Sequence, residues 1–451
     1  MTNLNAFKAY DIRGRIPDEI NETLAYDIGR AYAGFVKPQR VAVGYDIRLS
    51  SPQLATALKR GLMDSGSDVL DIGLCGTEGS YFATFSEGLD GGIMVTASHN
   101  PSDYNGMKFV REQSRPISAD TGLKDMRAAI ESGQLPAKAA RAGTETRIDL
   151  SRKYLEHLLG YVDRSKLRKL KVVVNAGNGG AGLIVDLLEP HLPFEFIKVN
   201  HLPDGTFPNG IPNPMLLENQ AATADVVRRT GADIGLAWDG DYDRCFFFDE
   251  HGQFIEGYYL VGLLAEAFLK GEPGGRIVHD PRLTWNTIDI VRRCGGEPVL
   301  CKSGHAFIKQ KMREVDGVYG GEMSAHHYFR KFSYCDSGMI PWLLVLQVIC
   351  ERGLSLSQLV GERMKLFPAS GEINRHLKTD AKSILARAEN HYSARAESRD
   401  FTDGLSMEFG QWRFNLRGSN TEPLVRLNVE SRGSESLMRE KTAEILQLID
   451  A

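Results

Sequence analysis

The sequence predicts an α/β protein: three similar domains, each on a mixed, mostly parallel sheet, then a smaller α+β C-terminal domain, around a central cleft. Three observations carry this. Short strands that are apolar throughout alternate with amphipathic helical stretches, as sheets covered on both faces require. That alternation occurs three times. The tail then switches to polar–apolar alternation, which marks antiparallel strands. Length agrees, since 451 residues exceed what one core usually supports. The expected domains are residues 1–145, 146–251, 252–363 and 364–451.

In the first repeat, Val41-Ala42-Val43-Gly44 reads as a strand. Ser51-Pro52 opens a helix through Leu54, Leu58 and Leu62, because proline is tolerated in a first turn, and Gly66 ends it. Val69 to Ile72 and Gly92 to Val95 are the next strands. The second repeat runs through Lys171 to Val174, a helix at Ile184 to Leu188, Phe194 to Val199 and Asp233 to Ala237. The third has Arg276 to Val278, a helix at Ile288 to Val291, Pro298 to Leu300 and Gly317 to Tyr319. In the tail, Gln411 to Leu416 and Leu424 to Val429 form an antiparallel pair joined by a turn, and a helix closes the chain from about Ser436 to Ile449.

A net charge of −4 gives no electrostatic footprint for nucleic acid or an anionic membrane. Polar Thr2-Asn3-Leu4-Asn5 after Met1 has no signal-peptide pattern, and the longest apolar run, Met339 to Cys350, is too short to span a bilayer. Six scattered cysteines without a CxxC pair fit free thiols in a reducing cytoplasm.

The third strand of each repeat runs into a polar loop, at the strand ends where open α/β sheets bind ligands. The first loop is Thr96-Ala97-Ser98-His99-Asn100-Pro101. Its serine is a candidate nucleophile or phosphate carrier, and a capped turn is the plain alternative. The second, Asp239-Gly240-Asp241-Tyr242-Asp243-Arg244, spaces three carboxylates so that an extended segment would point all of them one way, which suits Mg²⁺. A solvated acidic turn is the alternative there; an EF-hand fails because Arg244 stands where its glycine is needed. The third, Gly321-Glu322-Met323-Ser324-Ala325-His326-His327, offers groups that hydrogen-bond sugar hydroxyls. Adjacent histidines point to opposite faces of an extended chain, so at most one of them serves a site. Arg417-Gly418-Ser419-Asn420-Thr421 reads as a phosphate cradle or an ordinary hairpin turn. Lys108, ten residues after Ser98, can return its charge to the serine; Arg13 and His305 are weaker candidates.

Together these motifs resemble the bacterial phosphomannomutase/phosphoglucomutase group of the α-D-phosphohexomutase superfamily, from Lys8-Ala9-Tyr10-Asp11-Ile12-Arg13-Gly14 to the Arg417-to-Pro423 turn. The resemblance implies that Ser98 carries the catalytic phosphoryl group. Asp239, Asp241 and Asp243 would hold Mg²⁺, with a Ser98 phosphate oxygen as a further ligand. Glu322 and Ser324 would read the sugar's 3- and 4-hydroxyls; Arg417, Ser419, Asn420 and Thr421 would hold the phosphate not being transferred. Lys108, His305 and His326 align with groups that contact substrate or move protons, with Lys108 and His326 the candidate bases. Arg13 would touch the reacting phosphate, Arg244 would join it in spreading the charge there, and His99 either orients the serine or caps the turn. Arg282 stands where the family often has a cleft lysine, and arginine binds but does not readily give up a proton.

The implied activity interconverts mannose 6-phosphate and mannose 1-phosphate, and the corresponding glucose phosphates, through a 1,6-bisphosphate that reorients in the cleft. The alternatives are phosphoglucosamine mutase, a phosphatase, or a sugar-phosphate binding protein without turnover. Glucose 1,6-bisphosphate or mannose 1,6-bisphosphate is the expected activator. Hexose phosphates are the expected partners of a cytoplasmic monomer, with a dimer as the alternative.

Overall fold

The computed structural model describes residues 4–377, 380–418 and 424–450. It contains two compact units, Met1–Phe254 with His326–Gly353, and Ile255–Ala325 with Leu354–Ala451.

In the first unit, one sheet orders its strands Ile12–Arg15, Tyr104–Arg111, Gly91–Val95, Arg40–Tyr45, Asp68–Leu74 and Glu145–Arg147. Pairing is parallel from Gly91–Val95 to Glu145–Arg147. Tyr104–Arg111 runs antiparallel to Gly91–Val95, because the intervening loop is too short for the crossover that parallel strands need. A second sheet repeats the arrangement. Ile234–Trp238 is parallel to Lys171–Asn175, itself parallel to Glu195–Val199, and pairs antiparallel with Cys245–Phe248 across the short Asp239–Arg244 loop. Both polar loops are therefore tight connections leaving a central strand.

Those central strands, Gly91–Val95 and Ile234–Trp238, are buried along their whole length. Each large apolar side chain there contributes about 1.5–3 kcal/mol of burial, so the loop bases are fixed by the core. Gly92 lets helix Thr77–Ser86 press on the sheet, since a Cβ there would lie 2.3 Å from Thr84 Oγ1. The unit is completed by the hairpin His327–Phe329 and Cys335–Asp336 and by helix Ile340–Arg352.

The second unit holds three parallel strands, Glu297–Leu300, Arg276–His279 and Tyr319–Gly321, with helices Gly257–Gly271, Trp285–Arg293 and His305–Glu314. The last strand begins at Tyr319 rather than Gly317, whose amide instead closes the preceding helix on Met312 O at 2.8 Å. A separate antiparallel sheet runs Ile373–His376, Leu424–Ser431, Trp412–Gly418, Leu405–Glu408, Ser398–Asp400. Helices Ala381–Tyr392 and Glu435–Asp450 share its core with Trp412, Phe414, Leu416, Leu427 and Val429. All six cysteines are free thiols. No single helix among the described residues is long and apolar enough to cross a membrane.

Candidate active site

Ser98 leaves its strand with φ of +50°, a conformation that L residues adopt only under constraint. The constraint is visible. Ser98 N donates to Thr96 Oγ1 at 2.9 Å, and buried Arg48 donates to four carbonyls of the loop and its flank, those of Ser98 (2.8 Å), Asn100 (2.6 Å), Pro101 (2.7 Å) and Tyr104 (3.0 Å). Asp46 accepts from Thr96 Oγ1 at 2.7 Å and lies 3.4 Å from Arg48, tying both supports together. The serine is thus aimed, and its Oγ donates to Asp239 Oδ2 at 2.8 Å.

The acidic loop is a turn, not the extended segment its spacing suggested. Tyr242 takes φ of +46°, and its amide bonds back to Asp239 O at 3.1 Å. The turn forms because the Tyr242 hydroxyl accepts from Gly76 N at 2.7 Å, where any Cβ on Gly76 would lie 2.4 Å from the Tyr242 ring. Convergence of the carboxylates results from that turn rather than from strand alternation. One oxygen from each of Asp239, Asp241 and Asp243 lies within 4.8 Å of the others, and all three residues are buried. These oxygen donors could hold a divalent cation.

Lys108, on strand Tyr104–Arg111, points its Nζ at the acidic loop. It donates to Asp241 Oδ2 at 2.7 Å, Asp243 Oδ2 at 2.6 Å and Thr77 Oγ1 at 3.1 Å. Sequence reasoning directed its charge to the serine; the structure places it on the carboxylates. Burial opposes the lysine's charge, but the two carboxylates outweigh it and raise its pKa. Asp241 is held low despite its burial, chiefly by Lys108, whereas burial and the charge on Asp241 push Asp243 up.

Arg244 donates to Asp239 Oδ2 from Nε (3.0 Å) and Nη2 (2.7 Å), and Nη2 also donates to His99 Nδ1. That bond needs an unprotonated Nδ1. Burial first, then Arg244 and Arg13, depress the pKa of His99 accordingly. Arg13 donates to Asn100 Oδ1 at 2.7 Å and Asp11 Oδ2 at 2.6 Å, which brings it to the serine loop. His326 Nδ1 lies 2.9 Å from Oδ2 of fully buried Asp336, and a carboxylate can only accept, so Nδ1 carries the proton. His327 is buried within its strand, leaving His326 as the histidine of the pair that reaches the cluster with Asp243.

The second unit assembles another group. Arg282 Nη2 donates to Asp280 Oδ2 (2.7 Å), Ser324 Oγ (3.1 Å) and Glu322 Oε1 (3.3 Å). Glu322 Oε1 also accepts from Gly304 N at 2.9 Å, immediately before His305 at the start of its helix. Met323 N donates to Asp280 Oδ2 at 3.0 Å, so Asp280 anchors both the arginine and the loop. Arg417 donates to Glu372 Oε2 at 3.0 Å. Ser419, Asn420 and Thr421 lie outside the described residues. Sequence reasoning missed Arg48, Thr77, Asp280, Asp336 and Glu372. Arg48, Thr77 and Glu372 act on partners distant in the chain or on backbone, whereas Asp280 and Asp336 lie two and ten residues from the Arg282 and His326 they hold.

Family models match four segments of the chain: phosphoglucomutase/phosphomannomutase alpha/beta/alpha domain I at residues 4–135, domain II at 152–252, domain III at 256–367 and the C-terminal domain at 372–447. The chain is 62% identical over 446 residues to a Xanthomonas campestris pv. campestris protein named for phosphohexose mutases, covering 99% of each. It is 60% identical over 456 residues to an Escherichia coli phosphomannomutase, covering 100% of each. A phosphoglucomutase/phosphomannomutase family protein of Burkholderia thailandensis shares the fold with a TM-score of 0.89 at 32% identity, over 99% of this chain and 97% of that one. The chain belongs to the phosphoglucomutase/phosphomannomutase family.

Proposed function

We propose that this chain is a phosphohexomutase that interconverts mannose 6-phosphate and mannose 1-phosphate, and glucose 6-phosphate and glucose 1-phosphate, through a phosphoserine at Ser98. The observation that carries the reading is the strained Ser98, its Oγ 2.8 Å from Asp239 within a buried cluster of three carboxylates. The names of relatives 60% and 62% identical point to the same activity. The working domains, 1–145, 146–251, 252–363 and 364–451, give each of the four motifs its own domain.

Asp239, Asp241 and Asp243 are the residues that would hold Mg²⁺, together with an oxygen of the Ser98 phosphate. They fit the ion: the donors are hard oxygens, and among the described residues Oδ1 of Asp241 and of Asp243 are buried without a hydrogen-bond partner. When bound, the ion supplies electrostatic stabilisation to the transferring phosphoryl group.

The phosphorus–oxygen bond to Ser98 Oγ breaks as a bond to a sugar hydroxyl oxygen forms, and the hydroxyl's proton passes to a base. His326 suits that role better than Lys108. The lysine is held charged by two carboxylates and has no lone pair to offer. His326 donates Nδ1–H to Asp336 and so presents Nε2 as the basic nitrogen. Arg13 and Arg244 offset charge on the reacting phosphate, and His99 keeps Arg244 beside the serine. Glu322 and Ser324, held by Arg282, read the sugar hydroxyls. Arg417, Ser419, Asn420 and Thr421 hold the phosphate that stays, and His305 contacts the substrate. The 1,6-bisphosphate turns over and returns its other phosphoryl group to Ser98. Glucose 1,6-bisphosphate or mannose 1,6-bisphosphate recharges the serine as activator. The enzyme works on hexose phosphates in the cytoplasm as a monomer.

Intact-mass measurement of the purified protein tests the carrier, with a fraction about 80 Da heavier expected from one phosphate. A coupled assay with mannose 1-phosphate and catalytic glucose 1,6-bisphosphate tests turnover. Full mutase activity in Ser98→Ala would sink the phosphoserine scheme, and binding without turnover would sink the mutase reading.

A further inference from the structure

Glu372 immediately precedes the strand Ile373–His376, and its side chain is 8% exposed. Three guanidinium groups surround it. Arg417 donates to Oε2 at 3.0 Å, Arg282 donates to the same oxygen at 3.4 Å, and Arg426 Nη1 lies 3.6 Å from Oε1. Burial opposes ionisation here, yet Arg282, Arg417 and Arg426 outweigh it and hold the carboxyl down at about 2. Glu372 is therefore an anion at any working pH. One of its partners, Arg282, also grips Glu322 and Ser324. Another, Arg417, opens the expected phosphate cradle. A single buried carboxylate is thus shared between the group that reads the sugar and the group that reads the phosphate.

We propose that Glu372 is a specificity-determining residue, an internal anion that occupies Arg417 and must be displaced from it by the substrate's phosphate. A bare phosphate meets this competition with nothing to offset it. A hexose phosphate offsets it through its hydroxyls, which engage Glu322, Ser324 and Arg282 in the same event. Arg282 and Arg426 keep Glu372 neutralised once Arg417 has turned to the ligand, so the exchange strands no buried charge. The cradle in this way favours sugar phosphates over the inorganic phosphate that any cell contains. The proposal rests on reading this site as a hexose-phosphate site.

The test is calorimetric titration of inorganic phosphate into the full-length protein and its E372Q, E372D and E372Q/R417Q variants. Replacing one charge-assisted partner of Arg417 should tighten phosphate binding by ~10-fold in E372Q. The gain should vanish in E372Q/R417Q, which assigns it to Arg417 rather than to the Ser98 site. E372D keeps the charge on a shorter arm and should shift the same way by less, which preserves the test if E372Q does not fold. For E372Q, the inhibition constant for phosphate should fall relative to KM for mannose 1-phosphate, the loss of discrimination that the proposal requires. Phosphate affinity unchanged or weakened in both single variants overturns the proposal and leaves Glu372 a scaffold residue. Phosphate binding is read without turnover, so an inactive wild type would defeat the mutase reading and leave this measurement decisive on its own.

Discussion

Replacing Lys108 with methionine tests whether the carboxylate cluster is built around an internal cation that a metal ion relieves. In the protein, Lys108 Nζ bridges Asp241 at 2.7 Å and Asp243 at 2.6 Å, with side-chain exposures of 7%, 0% and 3% for the three residues. Methionine keeps the buried stem and removes the charge. Asp241 and Asp243 then face each other uncompensated, a loss of about 3–5 kcal/mol for breaking a buried pair from one side. A divalent cation at the same carboxylates should restore much of this, and should bind the variant more tightly because no ammonium competes for their charge. Each tenfold gain in affinity adds about 1.4 kcal/mol of stabilisation at saturating-range concentrations. Thermal unfolding of wild type and Lys108→Met, in EDTA and across a Mg²⁺ titration, is the assay; midpoints are compared because a multidomain chain need not unfold in two states. The variant should melt lower in EDTA and gain more from Mg²⁺ than wild type does. Equal gains, or a smaller gain in the variant, would refute the idea that lysine and metal answer the same carboxylates.

Glu78, fully buried, has its pKa pushed up to about 8 by burial, which the Ser337 and Tyr154 hydroxyls only partly offset. The unfolded state therefore binds fewer protons than the folded state between about pH 4.5 and 8, and stability falls as pH rises through that window, by an order of ~3–5 kcal/mol. Glu78→Gln should flatten that slope in denaturation midpoints and melt higher than wild type at about pH 8. Arg282→Lys keeps one charge but cannot reach Asp280, Glu322, Ser324 and Glu372 together, so KM for hexose phosphates should rise roughly 10–100-fold, read in the coupled assay. Asp336→Asn replaces an acceptor-only carboxylate with an amide that can also donate, so the His326 tautomer is no longer fixed, and kcat should fall by about 10²–10⁴ with a smaller change in KM and a displaced pH profile. A variant with an unchanged kcat would remove His326 from the base role.

How much of this was legible in the sequence depended on how local each cause was. The three repeats and the antiparallel tail could be read because continuous and alternating hydrophobicity are properties of a few adjacent residues. Asp239, Asp241 and Asp243 declared themselves by spacing, although the geometry that brings them together, the Tyr242 turn locked on Gly76, was not in that spacing. The hydrogen bonds of Lys108 could not be read from its neighbours, since its carboxylate partners follow a strand of another sheet, 133 and 135 positions along the chain. Arg48 and Glu372 left no local signal. Arg48 recognises backbone carbonyls 50 to 56 residues away, which any sequence supplies. Glu372 finds its three arginines 45, 54 and 90 positions away.

The three loops share a device that only the backbone reveals. Ser98, Tyr242 and Ala325 are non-glycine residues at φ of +50°, +46° and +69°, one in each polar loop. Such a conformation costs about 1–3 kcal/mol, and glycine in its place would relieve it. At Ser98 and Tyr242 the surroundings show why the position keeps a side chain instead. At Ser98 the left-handed turn lets Arg48 take the carbonyl while Oγ goes to Asp239, so the strain aims the hydroxyl. At Tyr242 the side chain is itself the brace, its hydroxyl on the Gly76 amide, and the carboxylates on either side are turned inward. At Ala325 the amide closes on Glu322 O at 3.1 Å, which bends the loop after Glu322. In each case a local penalty is offset by hydrogen bonds and packing, so the protein's own contacts hold the loop geometry. For phosphoryl transfer, where positioning and fixed charge account for most of the catalysis, preorganised loops of this kind are what the chemistry requires.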